Sequence, residues 1–260
     1  MNIEDFLPSY PSIQNSEYES LSPYQNNLND IIFHKKEFYD NKLPKIEYLP
    51  KEKGVLLKHQ LTIARYMSSN TLYDGVLLVH EMGSGKTCSA VGAIEQIRSE
   101  NSSINGAIIF ASGDKILDNF KREIALKCTH GQYRPEKYET LNAQLQTTRI
   151  NKLVSEFYDT KDKTFTKFSS NVIGKLTDSD LKDNYSNKII VIDEVHNLRI
   201  QEGQQEDKQR YYNFHRFLHV IENCKIILLS GTPMKSYFDI SKYDYVLIML
   251  FKMRKNYSCK

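Results

Sequence analysis

At 260 residues the chain has room for one large domain or two small ones. Apolar residues make up 40%, ordinary for a globular core, and 35 basic against 32 acidic residues leave a net charge of +3, which neither demands nor excludes a nucleic-acid partner. Cys88, Cys128, Cys224 and Cys259 form no CxxC pair, which argues against structural zinc and a disulfide framework and predicts a reducing compartment. The N-terminal MNIEDFL lacks a signal-peptide pattern, and the longest apolar run, residues 245–251, is too short to span a bilayer, so no membrane partner is expected.

Residues 1–50 hold five of the seven prolines among many Ser, Asn and Tyr, and read as an extended arm with one short helix around Leu28, Ile31, Ile32, Phe33 and Phe38. Residues 54–69, GVLLKHQLTIARYMSS, read as an amphipathic helix whose Leu57, Leu61, Ala64 and Met67 share a face.

The organising stretch is residues 76–87, VLLVHEMGSGKT. An apolar strand ends in a glycine loop, and a helix follows at once with Ala90, Val91, Ile94 and Ile97 on one face. Strand, glycine loop, helix is phosphate-binding geometry: Gly83, Ser84 and Gly85 turn the backbone so that its N–H groups face an anion. Lys86 would reach the outer phosphates of ATP, and Thr87 would hold Mg²⁺. The strict pattern wants glycine where His80 stands, so the short core GxGKT carries the assignment.

A second strand is expected at residues 107–111, followed by a helix through about Lys127 with Asp114 or Ser112 as its N-cap. Ser112 and Gly113, an exposed hydroxyl and a backbone N–H at a helix start, suit a nucleic-acid phosphate. Residues 128–140 read as a loop and 141–158 as a helix, with Leu145, Ile150, Leu153, Val154 and Phe157 inward. Phe165, Thr166 and Phe168 suggest a short strand.

Residues 188–196, KIIVIDEVH, form a buried strand ending in two carboxylates. Asp193 would hold Mg²⁺, and Glu194 would orient the attacking water. A polar loop at 199–208 leads into a helix at 209–223 with Tyr211, Phe214, Leu218 and Ile221 inward. His215 and His219 lie four apart on it with no further zinc ligand nearby, and read as surface histidines. Residues 225–234, KIILLSGTPM, form a last buried strand that ends in Ser230, Gly231, Thr232 and Pro233.

Together HEMGSGKT, DEVH and LSGTPM resemble motifs I, II and III of superfamily 2 helicases and translocases, with FASGDKILDNFKREI resembling motif Ia. The finer resemblance, carried by IIFHKKEFYD, LLKHQLTIARYMSSNTLYDG and HEMGSGKTCSA, is to transcription helicases of nucleocytoplasmic large DNA viruses, of the poxvirus early transcription factor and nucleoside triphosphate phosphohydrolase type. The resemblance implies a role in viral transcription, in the virion or host cytoplasm, with DNA or RNA and a viral RNA polymerase as partners. It also implies that Gln60 contacts adenine and that His196, Ser230 and Thr232 couple the nucleotide site to the nucleic acid.

The predicted fold is a three-layer α/β/α RecA-like domain with a mostly parallel sheet, strands near 76–80, 107–111, 189–193 and 226–230, and ATP at their carboxyl ends. The domain is expected over residues 51–235, between the arm and a basic tail at 236–260 that does not resemble the second RecA-like domain of such motors. That domain is expected to be missing or to be another chain. The functional alternatives are therefore an ATP-dependent motor and a nucleotide-binding subunit without motor activity of its own; a small-molecule kinase fits DEVH and SGTP poorly.

Overall fold

The computed structural model describes residues 55–71, 73–80, 83–199 and 205–231. The expected arm, Thr232, Pro233 and the tail lie outside the described residues. In chain order the elements are α1 (Lys58–Tyr66), β1 (Gly75–Val79), α2 (Lys86–Glu100), β2 (Ala107–Phe110), α3 (Asp114–Glu123), α4 (Ala143–Ser155), β3 (Tyr158–Asp159), α5 (Phe165–Phe168), α6 (Asp178–Tyr185), β4 (Ile189–Ile192), α7 (Gln205–Val220) and β5 (Lys225–Ser230). A π-helical turn, Ile124–Cys128, extends α3, and a 3-10 turn, Val195–Leu198, follows β4.

The five strands form one parallel sheet in the order β1-β5-β4-β2-β3. Alternating side chains of a strand point to opposite faces, and this alternation divides the core in two. Ile109, Val191, Ile227 and Leu229 face α2, α3 and α4, where Ala90, Val91, Ile94 and Ile97 are fully buried, as the sequence pattern predicts. Ile108, Phe110, Ile190, Ile192, Ile226 and Leu228 face α5, α6 and α7. Phe110 there meets the rings of Phe168, Phe214 and Phe217 at 4.6, 5.3 and 5.8 Å between centroids. The predicted three-layer α/β/α class is the observed one, because β2, β4 and β5 are buried on both faces and need helices over each. Among the described residues no helix is long and apolar enough to cross a membrane.

Several local expectations are corrected. Ala64 and Met67 are buried, but Leu57 and Leu61 are exposed, because α1 contacts α2 along its other side. Phe165–Phe168 is a helical turn and not a strand: both rings enter the aromatic core, which helical spacing allows and alternation does not. Neither Ser112 nor Asp114 caps α3; the N-cap is Gly113, and the Asp114 carboxylate pairs with Lys167 at 2.9 Å. Leu145 faces solvent on α4, while Ile150 and Val154 enter the core. The short strand β3 and the helix α6 carry no apolar pattern long enough to announce them.

The cysteine reading is also corrected. Cys88 and Cys128 are joined by a disulfide with Cα atoms 4.8 Å apart, while Cys224 is free and buried. The two lie 40 residues apart in sequence, and only the packing of α2 against the π-helical turn brings them together.

Candidate nucleotide site

The glycine loop lies between the carboxyl end of β1 and the first turn of α2, where Lys86 and Thr87 are the first two helical residues. Gly83 and Gly85 have φ of +85° and +83°, the left-handed region in which a Cβ is strained. Gly85 is doubly constrained, because a Cβ there would stand 2.6 Å from Gln60 Nε2. Gln60, 4% exposed, donates from Nε2 to the Gly85 carbonyl at 3.2 Å and accepts from the Leu57 N–H at 2.8 Å. The structure thus places Gln60 as a brace under the glycine loop.

β4 delivers the two carboxylates. Asp193 N–H donates to the Phe110 carbonyl of β2 at 2.8 Å, which holds the strand end in line with the sheet. Glu194 has φ +51° and ψ +51°, a left-handed turn that redirects its side chain away from the strand. Glu194 Oε1 lies 3.0 Å from Lys86 Nζ, and Oε2 lies 3.2 Å from His196 Nδ1. The Gly231 N–H donates to Oε2 at 3.4 Å. His196 Nδ1 is also 3.0 Å from Ser230 Oγ, so one ring nitrogen is shared between a carboxylate and a hydroxyl, with the tautomer setting the direction. Ser230 is fully buried at the end of β5, and its carbonyl accepts the His80 N–H at 3.1 Å.

Lys86, Glu194, His196, Ser230 and Gly231 therefore form one network at the carboxyl ends of β1, β4 and β5, although they are drawn from three separate motifs. Thr87 and Asp193 flank it. Ser112 and Gly113 stand apart at the end of β2, on the same edge of the sheet but outside this network. Two further contributors stand out only in the structure. The Gly231 N–H leaves no sequence signal because it is a backbone group. His80, whose signal was its place in a glycine position, has its ring 5.8 Å from that of His59. Burial, then His59 and then Lys86 hold the His80 imidazole below its usual basicity.

Asp193 is the most perturbed carboxyl at the site. Burial first, then the neighbouring Glu194, push it up to about 6 against the partial offset of Lys86. A buried carboxylate disfavoured in its charged form is one that a cation would relieve, so Asp193 with the Thr87 hydroxyl fits Mg²⁺, and the left-handed glycine loop fits phosphate. A measurable consequence follows for the metal-free protein. Asp193 is raised above its ordinary value of 3.8 in the folded chain. The folded state then binds more protons than the unfolded one between about pH 4 and pH 6, and stability falls as pH rises through that window. Asp193→Asn should keep the hydrogen bond from the Glu194 N–H and be more stable than wild type at about pH 7, by on the order of 2 kcal/mol. The gain should vanish by about pH 4. Urea unfolding of both proteins across this range is the check, and identical pH profiles would contradict the assignment.

A family profile described as "Type III restriction enzyme, res subunit" matches residues 19–235 of this chain. The chain belongs to that family. The matched stretch is accordingly a RecA-like domain of the kind that forms the N-terminal half of superfamily 2 helicases. The chain is also similar to viral proteins. "Putative helicase 087L" of Invertebrate iridescent virus 3 is 35% identical over 90% of this chain and 23% of the relative. "Putative helicase 009L" of Frog virus 3 is 35% identical over 68% of this chain and 18% of the relative. An Acanthamoeba polyphaga mimivirus protein named "Putative ATP-dependent RNA helicase" is 26% identical over 80% of this chain and 36% of the relative. The chain thus spans about a third or less of the length of these relatives.

Proposed function

We propose that this chain is the ATP-binding and ATP-hydrolysing domain of a viral, nucleic-acid-dependent superfamily 2 motor. The observation that carries the reading is the Lys86–Glu194–His196–Ser230 network, which joins the three motifs into one hydrogen-bonded unit. The phosphate-loop N–H groups and Lys86 bind the triphosphate, while Thr87 and Asp193 hold Mg²⁺. Held there, Mg²⁺ would supply neutralisation of the charge on the phosphate oxygens. Arriving phosphates compete with Glu194 for the Lys86 ammonium, and the released carboxylate is then free to orient water and accept its proton. Glu194 Oε2 stays on His196, so the exchange is felt at Ser230 and, through the next residues, at Thr232. Gln60 keeps a second amide N–H with which to meet adenine. Ser112 and Gly113 are proposed to hold a nucleic-acid phosphate.

We further propose that the domain occupies residues 51–235 and works with a second RecA-like domain, in cis or in trans, serving viral transcription beside a viral RNA polymerase in the virion or host cytoplasm. Two observations support the second domain: the relatives extend well beyond the share matched here, and among the described residues Lys86 is the one lysine or arginine in the network. Where phosphoryl transfer uses an arginine finger, that residue contributes about 10³- to 10⁵-fold. The test is ATP hydrolysis and Mg·ATP affinity of the full 260-residue chain, with and without single- and double-stranded DNA and RNA. Saturable Mg·ATP binding with slow basal hydrolysis is expected, rising at least about tenfold when a second domain and nucleic acid are both supplied. Absence of Mg·ATP binding would overturn the proposal. Strong nucleic-acid stimulation of the chain alone, as a verified monomer, would overturn the need for a second domain.

A further inference from the structure

The Cys88–Cys128 bond has no part in the chemistry above, yet it lies directly beside it. Cys88 is the third residue of α2, immediately after Lys86 and Thr87, and Cys128 closes the π-helical turn behind α3. We propose that this cysteine pair is a reversible oxidation site that fixes the phosphate-loop turn and tightens its hold on nucleotide; the second half of that statement rests on the ATP-binding reading.

Later turns of α2 have their own attachment to the same neighbourhood. Glu95 Oε1 accepts from the Tyr133 hydroxyl at 2.7 Å and from the buried Tyr158 hydroxyl, and the Arg98 guanidinium binds Tyr133 and lies over the Phe157 ring at 4.5 Å. Reduction leaves that clamp in place. The freed portion is the first turn, whose backbone carries Lys86 and Thr87. An oxidised first turn is already ordered in its binding geometry, so less freedom is lost when phosphate arrives.

The exchange uses a low-molecular-weight disulfide such as glutathione disulfide as oxidant. Cys88, half-buried and the more accessible of the two, attacks a glutathione sulfur and forms a mixed disulfide, expelling one glutathione thiolate. Cys128 then attacks the Cys88 sulfur, forming the protein disulfide and expelling the second glutathione thiolate. The two protons lost by the protein thiols go to the leaving thiolates. A dithiol such as dithiothreitol reverses both steps.

The full chain is equilibrated with glutathione disulfide or with dithiothreitol, mapped by peptide mass spectrometry, melted, and titrated with a fluorescent ATP analogue. Oxidation is expected to give a linked Cys88–Cys128 peptide, a melting temperature higher by several degrees, and about three- to tenfold tighter analogue binding, all reversed by dithiothreitol. Cys128→Ser and Cys128→Ala should give no linked peptide and neither the melting nor the affinity gain under oxidation, because Cys88 then stops at its mixed disulfide with glutathione, which mass spectrometry reads as a glutathione adduct; the alanine variant guards against a buried hydroxyl that spoils folding. No linked peptide after oxidation, or equal affinity of the oxidised and reduced wild type, would overturn the proposal. If neither form binds the analogue, the ATP reading fails and takes the affinity claim with it, while mapping and melting still decide whether the pair is a reversible site.

Discussion

Glu194→Gln should lower ATP turnover by at least about 10²-fold while leaving Mg·ATP affinity within a few-fold of wild type, in whatever assembly the native protein turns over. A glutamine preserves the size and one acceptor oxygen but cannot accept the proton of the attacking water. The ground-state contacts point the same way. Glu194 Oε1 holds Lys86 Nζ at 3.0 Å, and this ion pair must open before the ammonium can serve a phosphate. Removing the carboxylate's charge weakens the competitor, so nucleotide binding should be unchanged or tighter. The variant is expected to trap bound ATP, seen as normal or slower release of a fluorescent analogue with no product burst in rapid quench. Wild-type turnover in the same assembly would exclude Glu194 as the residue that orients water.

Lys86→Ala should separate from it cleanly: here binding is lost. The Lys86 side chain is 12% exposed and belongs to the first residue of α2, where its ammonium would face a phosphate cradled by the loop. Charge-assisted bonds to a phosphate contribute about 1.5–3 kcal/mol each, so losing one to each outer phosphate should weaken affinity by about 10²-fold or more. The fold should survive, because a glycine-loop lysine serves chiefly as a ligand contact and alanine is well suited to the first turn of a helix. A second signature is electrostatic. Lys86 is the group that partly offsets the upward push on Asp193, so its removal should raise Asp193 further and sharpen the fall of stability with pH. Calorimetry and pH-resolved unfolding read the two effects independently. ATP affinity equal to wild type with an unchanged circular dichroism spectrum would remove Lys86 from the site.

The contrast between these variants shows what the sequence carries. The glycines before Lys86 announce a loop that L side chains cannot follow, and Gly83 and Gly85 do adopt that left-handed geometry. Consecutive β-branched residues before Asp193 announce a strand buried on both faces, and Ile189–Ile192 is one. Such signals are legible because backbone strain and burial periodicity act over a few residues and write directly into residue type. Where competing local signals are close to balanced, packing decides. Phe165 and Phe168 turn into a helix because the aromatic core needs both rings on one side.

Long-range partnership is a different matter. The family resemblance alone assigns Gln60 to adenine, and its grip on the Gly85 carbonyl depends on how α1 crosses α2. Glu194 meets Lys86 across 108 residues only because the order β1-β5-β4 sets their strands on either side of Ser230. Cys88 finds Cys128 because two helical turns pack on one face of the sheet. The sequence by itself determined the local groups: a glycine loop with its lysine, a carboxylate pair and a serine hydroxyl, each at the end of a strand. Tertiary structure alone decided which of these groups touch, because strand order and helix packing are collective outcomes of burying the whole apolar surface, and no short window of residues contains them.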